Sequence, residues 1–188
     1  VTITPIELAV VVGSVRPDRL GPTVAQWFVR IVAERSEFVA NTIDLIDLDL
    51  PADLSPSPGA DTLAAAVSSA DAVVLVTPEY NHGYPGSLKI ALDTVKYEWR
   101  GKPVGFVSYG GLYGGARAVE QLRQVAAELH MVSVRDSVGF PRARKTFGAD
   151  PVVVDGPAVD SAARMLDQVQ WWATAAKTLR ASRPYPGQ

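Results

Sequence analysis

AVVVGSVRPDRLGPTVAQW, residues 9–27, decides the fold. A continuous apolar, β-branched run stops at Gly13, and a loop carrying Arg16, Pro17, Arg19, Gly21 and Pro22 follows. The chain then takes up a helical period in TVAQWFVRIVAERS (23–36), where Val24, Trp27, Phe28, Ile31 and Val32 fall on one stripe and Arg30, Glu34 and Arg35 on another. Similar apolar runs recur at Ile6–Val12, Val39–Leu45, Ala72–Thr77, Val104–Ser108 and Met131–Val134. Helical periods stand between and after them, in 61–70, 87–99, 115–130 and 158–180. The runs are nearly continuous rather than alternating, as parallel strands covered on both faces are. Five strands alternating with five helices predict an α/β doubly wound sheet, because each parallel pair needs a right-handed crossover.

Composition narrows the function classes. With 188 residues, 47% of them hydrophobic and 20% charged, one domain over 1–188 is expected, with 181–188 as a flexible tail. Two loops, 49–59 and 140–157, are long and rich in Pro, Gly and charge, as surface excursions are. A formal charge of −2 argues against a nucleic-acid partner, which demands a basic face. The chain has no cysteine and only His82 and His130, so thiolate chemistry is excluded and a histidine metal site is not expected. The apolar run at the N-terminus has no basic flank and falls short of the ~20 residues of a membrane span, so a cytoplasmic protein with no membrane span is expected.

In an open α/β sheet, ligands bind beyond the carboxyl ends of the strands. The loops after strands one, three and four are GSVRPDRLGPT (13–23), TPEYNHGYPGS (77–87) and SYGGLYGGA (108–116). The first lacks both the G-x-G-x-x-G dinucleotide fingerprint and the G-K-[ST] of a Walker loop. It offers the Ser14 and Thr23 hydroxyls, a helix N-terminus and the Arg16 charge, which suit a phosphate monoester. An ordinary turn with Thr23 as N-cap fits the same residues. The second loop provides proline and tyrosine surfaces beside rigid backbone, where a planar heteroaromatic ring could lie; a long turn whose aromatics cover the core is the other reading. Glycines at 110, 111, 114 and 115 in the third loop leave room for a ring edge or simply make a flexible turn.

Taken together, GSVRPDRLGPTVAQW (13–27), TPEYNHGYPGSLKIALD (77–93) and GKPVGFVSYGGLYGGARAVEQLR (101–123) resemble the NADPH-dependent FMN reductase family of flavin, quinone and chromate reductases. The resemblance spans about the first 140 positions in the right order. It implies a flavodoxin-like five-stranded parallel sheet of order 2-1-3-4-5, with helices on both faces and FMN at the switch point. By the match, Ser14, Arg16, Thr23 and Val24 would hold the FMN phosphate. Pro78, Glu79, Tyr80 and Asn81 would border the isoalloxazine, largely through backbone atoms, with Ser108, Gly110 and Gly111 on its other margin. The sequence departs from the common pattern at Ala25, where many members carry Asn, and at Ile90 and Thr94, where Asn and Trp are usual. Similar proteins pair through this last helix and the next, so a homodimer or homotetramer is implied.

The resemblance implies electron transfer from NADPH to FMN and on to a small acceptor, a free flavin or a quinone; reduced flavin could also pass to a flavin-dependent monooxygenase. Such chemistry is carried by the cofactor, so no catalytic side chain is nominated. The alternative class is a non-enzymatic, flavodoxin-like electron carrier, but such carriers are strongly acidic and this chain is nearly neutral. A receiver domain would need clustered carboxylates at the ends of strands one and three, which are absent. His82 and Tyr84 fall near the expected cavity entrance. The basic run PRARK (141–145) reads as a solvated loop or as a contact for the NADPH 2′-phosphate or an anionic acceptor. Trp171 and Trp172 are adjacent, so both cannot face the core, and one should meet a loop, the tail or a second subunit.

Overall fold

A computed structural model describes residues 4–148 and 156–186. Seven-residue strands β1 (Ile6–Val12), β2 (Phe38–Asp44), β3 (Ala72–Pro78) and β4 (Pro103–Tyr109) form the sheet with two short strands, β5 (Val132–Ser133) and β6 (Val138–Phe140). The helices are α1 (Gly21–Ala33), α2 (Pro58–Ser69), α3 (Gly86–Thr94), α4 (Ala116–Glu128), α5 (Ala143–Thr146) and α6 (Pro157–Ser182). The strand order is β2-β1-β3-β4-β5, all pairings are parallel, and β6 also pairs with β4. This is the expected flavodoxin-like order.

Every residue of β3 and β4 is buried, and successive residues feed opposite faces. Leu8, Val10, Val12, Val74, Val76 and Val107 pack under α1 and α6, whereas Ala9, Val11, Val73, Leu75, Val104 and Phe106 pack under α2, α3 and α4. Two apolar layers explain why the sequence runs are continuous.

Three expectations are corrected. The fifth strand is split: β4 pairs with β5 at Pro103–Val104 and with β6 at Val107–Tyr109, and two extra residues intervene on the β5–β6 side. Arg123 holds that interruption by donating to Val134 O at 2.7 Å and Arg135 O at 2.9 Å, and Gln168 brackets Asp136 from α6. The helix expected over 87–99 ends at Thr94, because Val95 is extended and accepts a 2.8 Å hydrogen bond from Nε1 of the fully buried Trp99. Helix α1 begins at Gly21 with Leu20 as N-cap, so Thr23 lies inside its first turn and does not cap it. Pro22 favours that earlier start, since its ring presets the helical φ.

Asp71 locks the amino end of the sheet to α6. Its carboxylate receives Lys177 Nζ at 2.6 Å, Arg180 at 3.1 Å and the Glu7 backbone N–H at 3.2 Å. Lys177 also reaches Pro5 O, and Arg180 reaches Gly101 O. Beyond α6, Tyr185 lies edge-on to His130 with ring centroids 5.8 Å apart. Asp71→Asn leaves two half-buried cations facing a neutral amide, and a loss of about 2 kcal/mol is expected. Urea unfolding would show it as a lower midpoint at unchanged slope.

Candidate active site

The carboxyl ends of β1, β3 and β4 converge on a cavity of about 410 Å³, within the range of small-molecule sites. Its floor is built by an unusual contact. Ser14 and Tyr109 are buried and share a 3.0 Å hydroxyl–hydroxyl hydrogen bond that ties the β1 loop to the end of β4. Gly21 sits directly above: a Cβ there would fall 2.6 Å from Ser14 Oγ and 3.1 Å from the Tyr109 hydroxyl. Only glycine lets α1 begin so close to that pair. Ser87, in the first turn of α3, donates to Gly13 O at 2.6 Å and fixes the other side of the loop.

The two loop arginines have different roles. Arg19 makes a bidentate pair with Asp44 at the end of β2, at 2.8 and 2.7 Å, and also donates to Ser14 O. It is a structural clamp whose charge is matched. Arg16 lies over the Tyr80 ring at 5.3 Å from its centroid and lines the cavity. Helix α1 opens beside it with no side-chain cap hydrogen bond; Pro22 has no N–H and Val24 donates to Leu20 O, so the Gly21 and Thr23 N–H groups and the helix dipole are what the first turn can offer an anion.

In the second loop, Tyr80 and Gly83 exchange backbone hydrogen bonds of 2.8 and 3.1 Å around Asn81 and His82, both at positive φ. That is a tight turn of the primed type, and Asn suits it because its side chain tolerates the left-handed region. Glu79 turns its carboxylate to α4, where it binds both the Arg117 guanidinium and the Arg117 backbone N–H. Burial pushes the Glu79 carboxyl up, but the hydrogen bonds and charge of Arg117 outweigh it and hold the carboxyl below its ordinary range. Glu79 thus caps α4 from a distance.

The third loop turns on Gly115, at φ +90°, where an added Cβ would meet the Ser108 Cβ at 2.6 Å. Ser108 is buried and donates to Gly114 O at 2.8 Å, closing the loop on itself. Gly110 and Gly111 accept backbone hydrogen bonds from Ala143 and Arg142 and so dock α5 against the cavity. Trp27, Phe140 and Phe147 stack edge-on in series at 4.8 Å and anchor α5 to α1.

Of the expected site residues, Arg16, Pro78, Glu79, Tyr80, Gly110 and Gly111 border the cavity. Ser14, Thr23, Val24, Asn81 and Ser108 do not line it: Ser14 and Ser108 are buried supports, Val24 is core, and Asn81 is an exposed turn residue. His82 and Tyr84 also lie off it; His82 is exposed and Tyr84 packs on the core. The sequence reading missed Tyr109, Asp18 and Leu20 as lining residues. Tyr109 directly precedes the Gly110–Gly111 pair, a position from which it could have been inferred. The run at 141–145 contributes Arg142, Arg144 and Lys145 to the wall. With Arg19 matched by Asp44 and Glu79 by Arg117, four cations face the single carboxylate of Asp18.

Burial pushes the Tyr109 phenol up to about 12, although the Ser14 hydrogen bond lowers it. A phenol raised above its unfolded value of 10.0 keeps its proton in the fold after the unfolded chain has lost it. Stability therefore falls as pH rises from 10 towards 12, by up to about 1.4 kcal/mol per pH unit from this group. Tyr109→Phe is expected to cost about 1 kcal/mol at neutral pH through the lost Ser14 bond. The same variant should flatten the alkaline loss, and urea midpoints across that pH range measure both.

Residues 6–145 match the family model described as NADPH-dependent FMN reductase. An NAD(P)H-dependent FMN reductase of Schizosaccharomyces pombe is 37% identical over 167 residues, covering 80% of this chain and 82% of that protein. A quinone reductase of Escherichia coli is 33% identical over 129 residues, covering 64% of this chain and 69% of its own. Among solved structures, FerB of Paracoccus denitrificans, a flavoenzyme NAD(P)H:(acceptor) oxidoreductase, superposes with a TM-score of 0.72 at 24% identity, over 91% of this chain and 98% of that one. At that identity it shows the fold. Sheet order, the loops at the carboxyl edge and these matches agree: the chain belongs to the NADPH-dependent FMN reductase family of flavodoxin-like oxidoreductases.

Proposed function

We propose that the cavity at the carboxyl edge is the FMN site, and that the protein passes electrons from NADPH through FMN to a quinone or a free flavin. The observation that carries this reading is one cavity bordered by an uncapped helix start, the unmatched charge of Arg16 and the glycine edge at Gly110 and Gly111. Arg16, with the backbone N–H of Thr23 in the first turn of α1, would hold the phosphate, where charge-assisted bonds and the helix dipole act together; Val24, buried and with its N–H donated to Leu20 O at 3.0 Å, would pack beneath that turn. Pro78, Glu79 and Tyr80 would border the ring on one side and Gly110 and Gly111 on the other. Ser14, Ser108 and Asn81 would act as supports of the loops rather than as ligands.

Flavin, when bound, supplies the hydride acceptor and the onward electron donor. The chain's task is to hold two planar molecules in register and keep water out, which proximity alone makes worth several powers of ten. Arg144 and Lys145 would meet the nicotinamide nucleotide's phosphates on the outer wall, favouring NADPH over NADH. The reading further takes the protein as a homodimer or homotetramer of one domain per chain, acting in the cytoplasm and able to release reduced flavin to a monooxygenase. Among the described residues, no helix is long and apolar enough to cross a membrane.

Mixing FMN-reconstituted protein with NADPH or NADH without oxygen, and following the flavin absorption band, tests the reading. Bleaching faster than that of free FMN, with NADPH ahead, is the expected result. Tight FMN binding with no acceleration by either nucleotide would instead fit an electron carrier. Arg16→Ala should weaken FMN binding by about 10- to 100-fold, the loss of one charge-assisted phosphate contact, while leaving the urea midpoint unchanged.

A further inference from the structure

Ser14 is fully buried, Tyr109 is 6% exposed, and their hydroxyls share one 3.0 Å hydrogen bond. Each hydroxyl carries a hydrogen, so the pair holds two and the bond between them uses one. Neither makes another hydrogen bond among the described residues. One O–H is therefore left over, and its owner depends on which oxygen donates. The surroundings decide that direction. Gly21 closes over the serine, since a Cβ there would lie 2.6 Å from Ser14 Oγ, whereas Tyr109 borders the cavity. If Tyr109 donated, the serine hydrogen would be sealed in the protein with no acceptor, the costly outcome for a buried donor. If Ser14 donates, the spare hydrogen belongs to Tyr109, at the cavity wall, where solvent or a ligand can accept it. The hydrogen bonds thus run from Ser14 to Tyr109 and on into the cavity, and a hydroxyl that already accepts one bond donates the next more strongly.

We propose, on the reading of this cavity as the FMN site, that the Tyr109 hydroxyl is a ligand of the FMN phosphate and makes the site prefer FMN to riboflavin, with Ser14 as its positioning residue. Place selects the phosphate. The Tyr109 hydroxyl is 3.1 Å from where a Cβ on Gly21 would stand, so it lies at the first residue of α1. The uncapped start of that helix and the charge of Arg16 border the same cavity. A neutral O–H donor beside free N–H groups and a guanidinium suits a group that only accepts, and a phosphate dianion is such a group.

The donor is also ready-made. Burial pushes the Tyr109 phenol up to about 12, so it keeps its proton at neutral and mildly alkaline pH. Arg19, which stands close by, is held in its bidentate pair with Asp44 and does not draw the hydroxyl away. Tyr109 is the last residue of the fully buried β4, and Ser14 is fixed by the donation of Arg19 to its carbonyl, so neither side chain needs reordering when the anion arrives.

Dissociation constants of FMN and riboflavin for the full chain, read from quenching of flavin fluorescence, test this. The wild-type chain should bind FMN more tightly than riboflavin. Tyr109→Phe should weaken FMN binding by about tenfold or more, the loss of a hydrogen bond to a charged acceptor, and riboflavin binding by less than about twofold. Ser14→Ala leaves the phenol without the partner that orients it and should weaken FMN binding by about threefold, again with little change for riboflavin. Added to Y109F, S14A should weaken FMN binding no further, because Ser14 acts through Tyr109. A role confined to stability would lower the urea midpoint and shift both flavins alike. Equal weakening of the two flavins by Y109F, an unchanged FMN affinity, or the full S14A effect in the Y109F background overturns the proposal. If Y109F fails to fold, S14A decides: a narrowed preference for FMN supports the proposal and an unchanged one overturns it. A wild-type chain that binds both flavins equally leaves the FMN site standing and overturns this proposal alone, whereas one that binds neither overturns both.

Discussion

Burial of β3 and β4 on both faces is the constraint on which the rest of the structure depends. A strand covered above and below has no solvent-facing side, so its residues are apolar and its chemistry is displaced to its ends. Helices on both faces require each crossover to leave at the carboxyl edge and return at the amino edge. The loops after β1, β3 and β4 are thereby gathered at one edge, and the joins that hold the sheet to α6 are gathered at the other. Ligand chemistry and structural clamping are separated by topology before any side chain is chosen.

At the carboxyl edge, most polar groups are committed to holding the loops still. Ser14 holds Tyr109, Arg19 holds Asp44, Glu79 holds Arg117 and the α4 N-terminus, and Ser108 holds Gly114. Each joins two segments far apart in sequence, or closes a loop on itself. Arg16 and the wall residues Arg142, Arg144 and Lys145 are left to give the cavity its positive field. A preorganised, positively charged cleft is suited to phosphate-bearing cofactors, since little reorganisation is needed when the anion arrives.

Much of the fold was legible because apolar patterning reports burial directly. Ile6–Val12 was read to the residue, and the strand order followed from the resemblance. What escaped depended on side-chain contacts that residue type alone does not show. Helix α3 ends at Val95 because Trp99, four residues on, donates to its carbonyl, and Trp99 is held there by its burial in the core under α2, α3 and α4. The split of the fifth strand depends on Arg123, on the helix just before it, and on Gln168, on the last helix, and neither pairing is marked by residue type. The candidate site was half legible for the same reason. Arg16, Tyr80 and the glycines announce themselves by residue type, but whether a serine faces the cavity or is buried beneath it is set by its partner. Tyr109 and Gly21 together decided that for Ser14.

The amino edge shows the complementary arrangement. Asp71 pairs with two cations of α6 and fixes the helix against the sheet, and the residues on the opposite side of the same turns are apolar or small and uncharged. If α6 were held only by apolar packing, exposed tryptophans would favour rotating it to bury them at the expense of Met165, Leu166 and Val169, which are fully buried. The ion pairs oppose such a rotation, because turning the helix would strand Lys177 and Arg180 away from the carboxylate between them. A charged clamp beneath an apolar ridge therefore fixes which face α6 shows to solvent. The tryptophans remain outward because the opposite face is already committed.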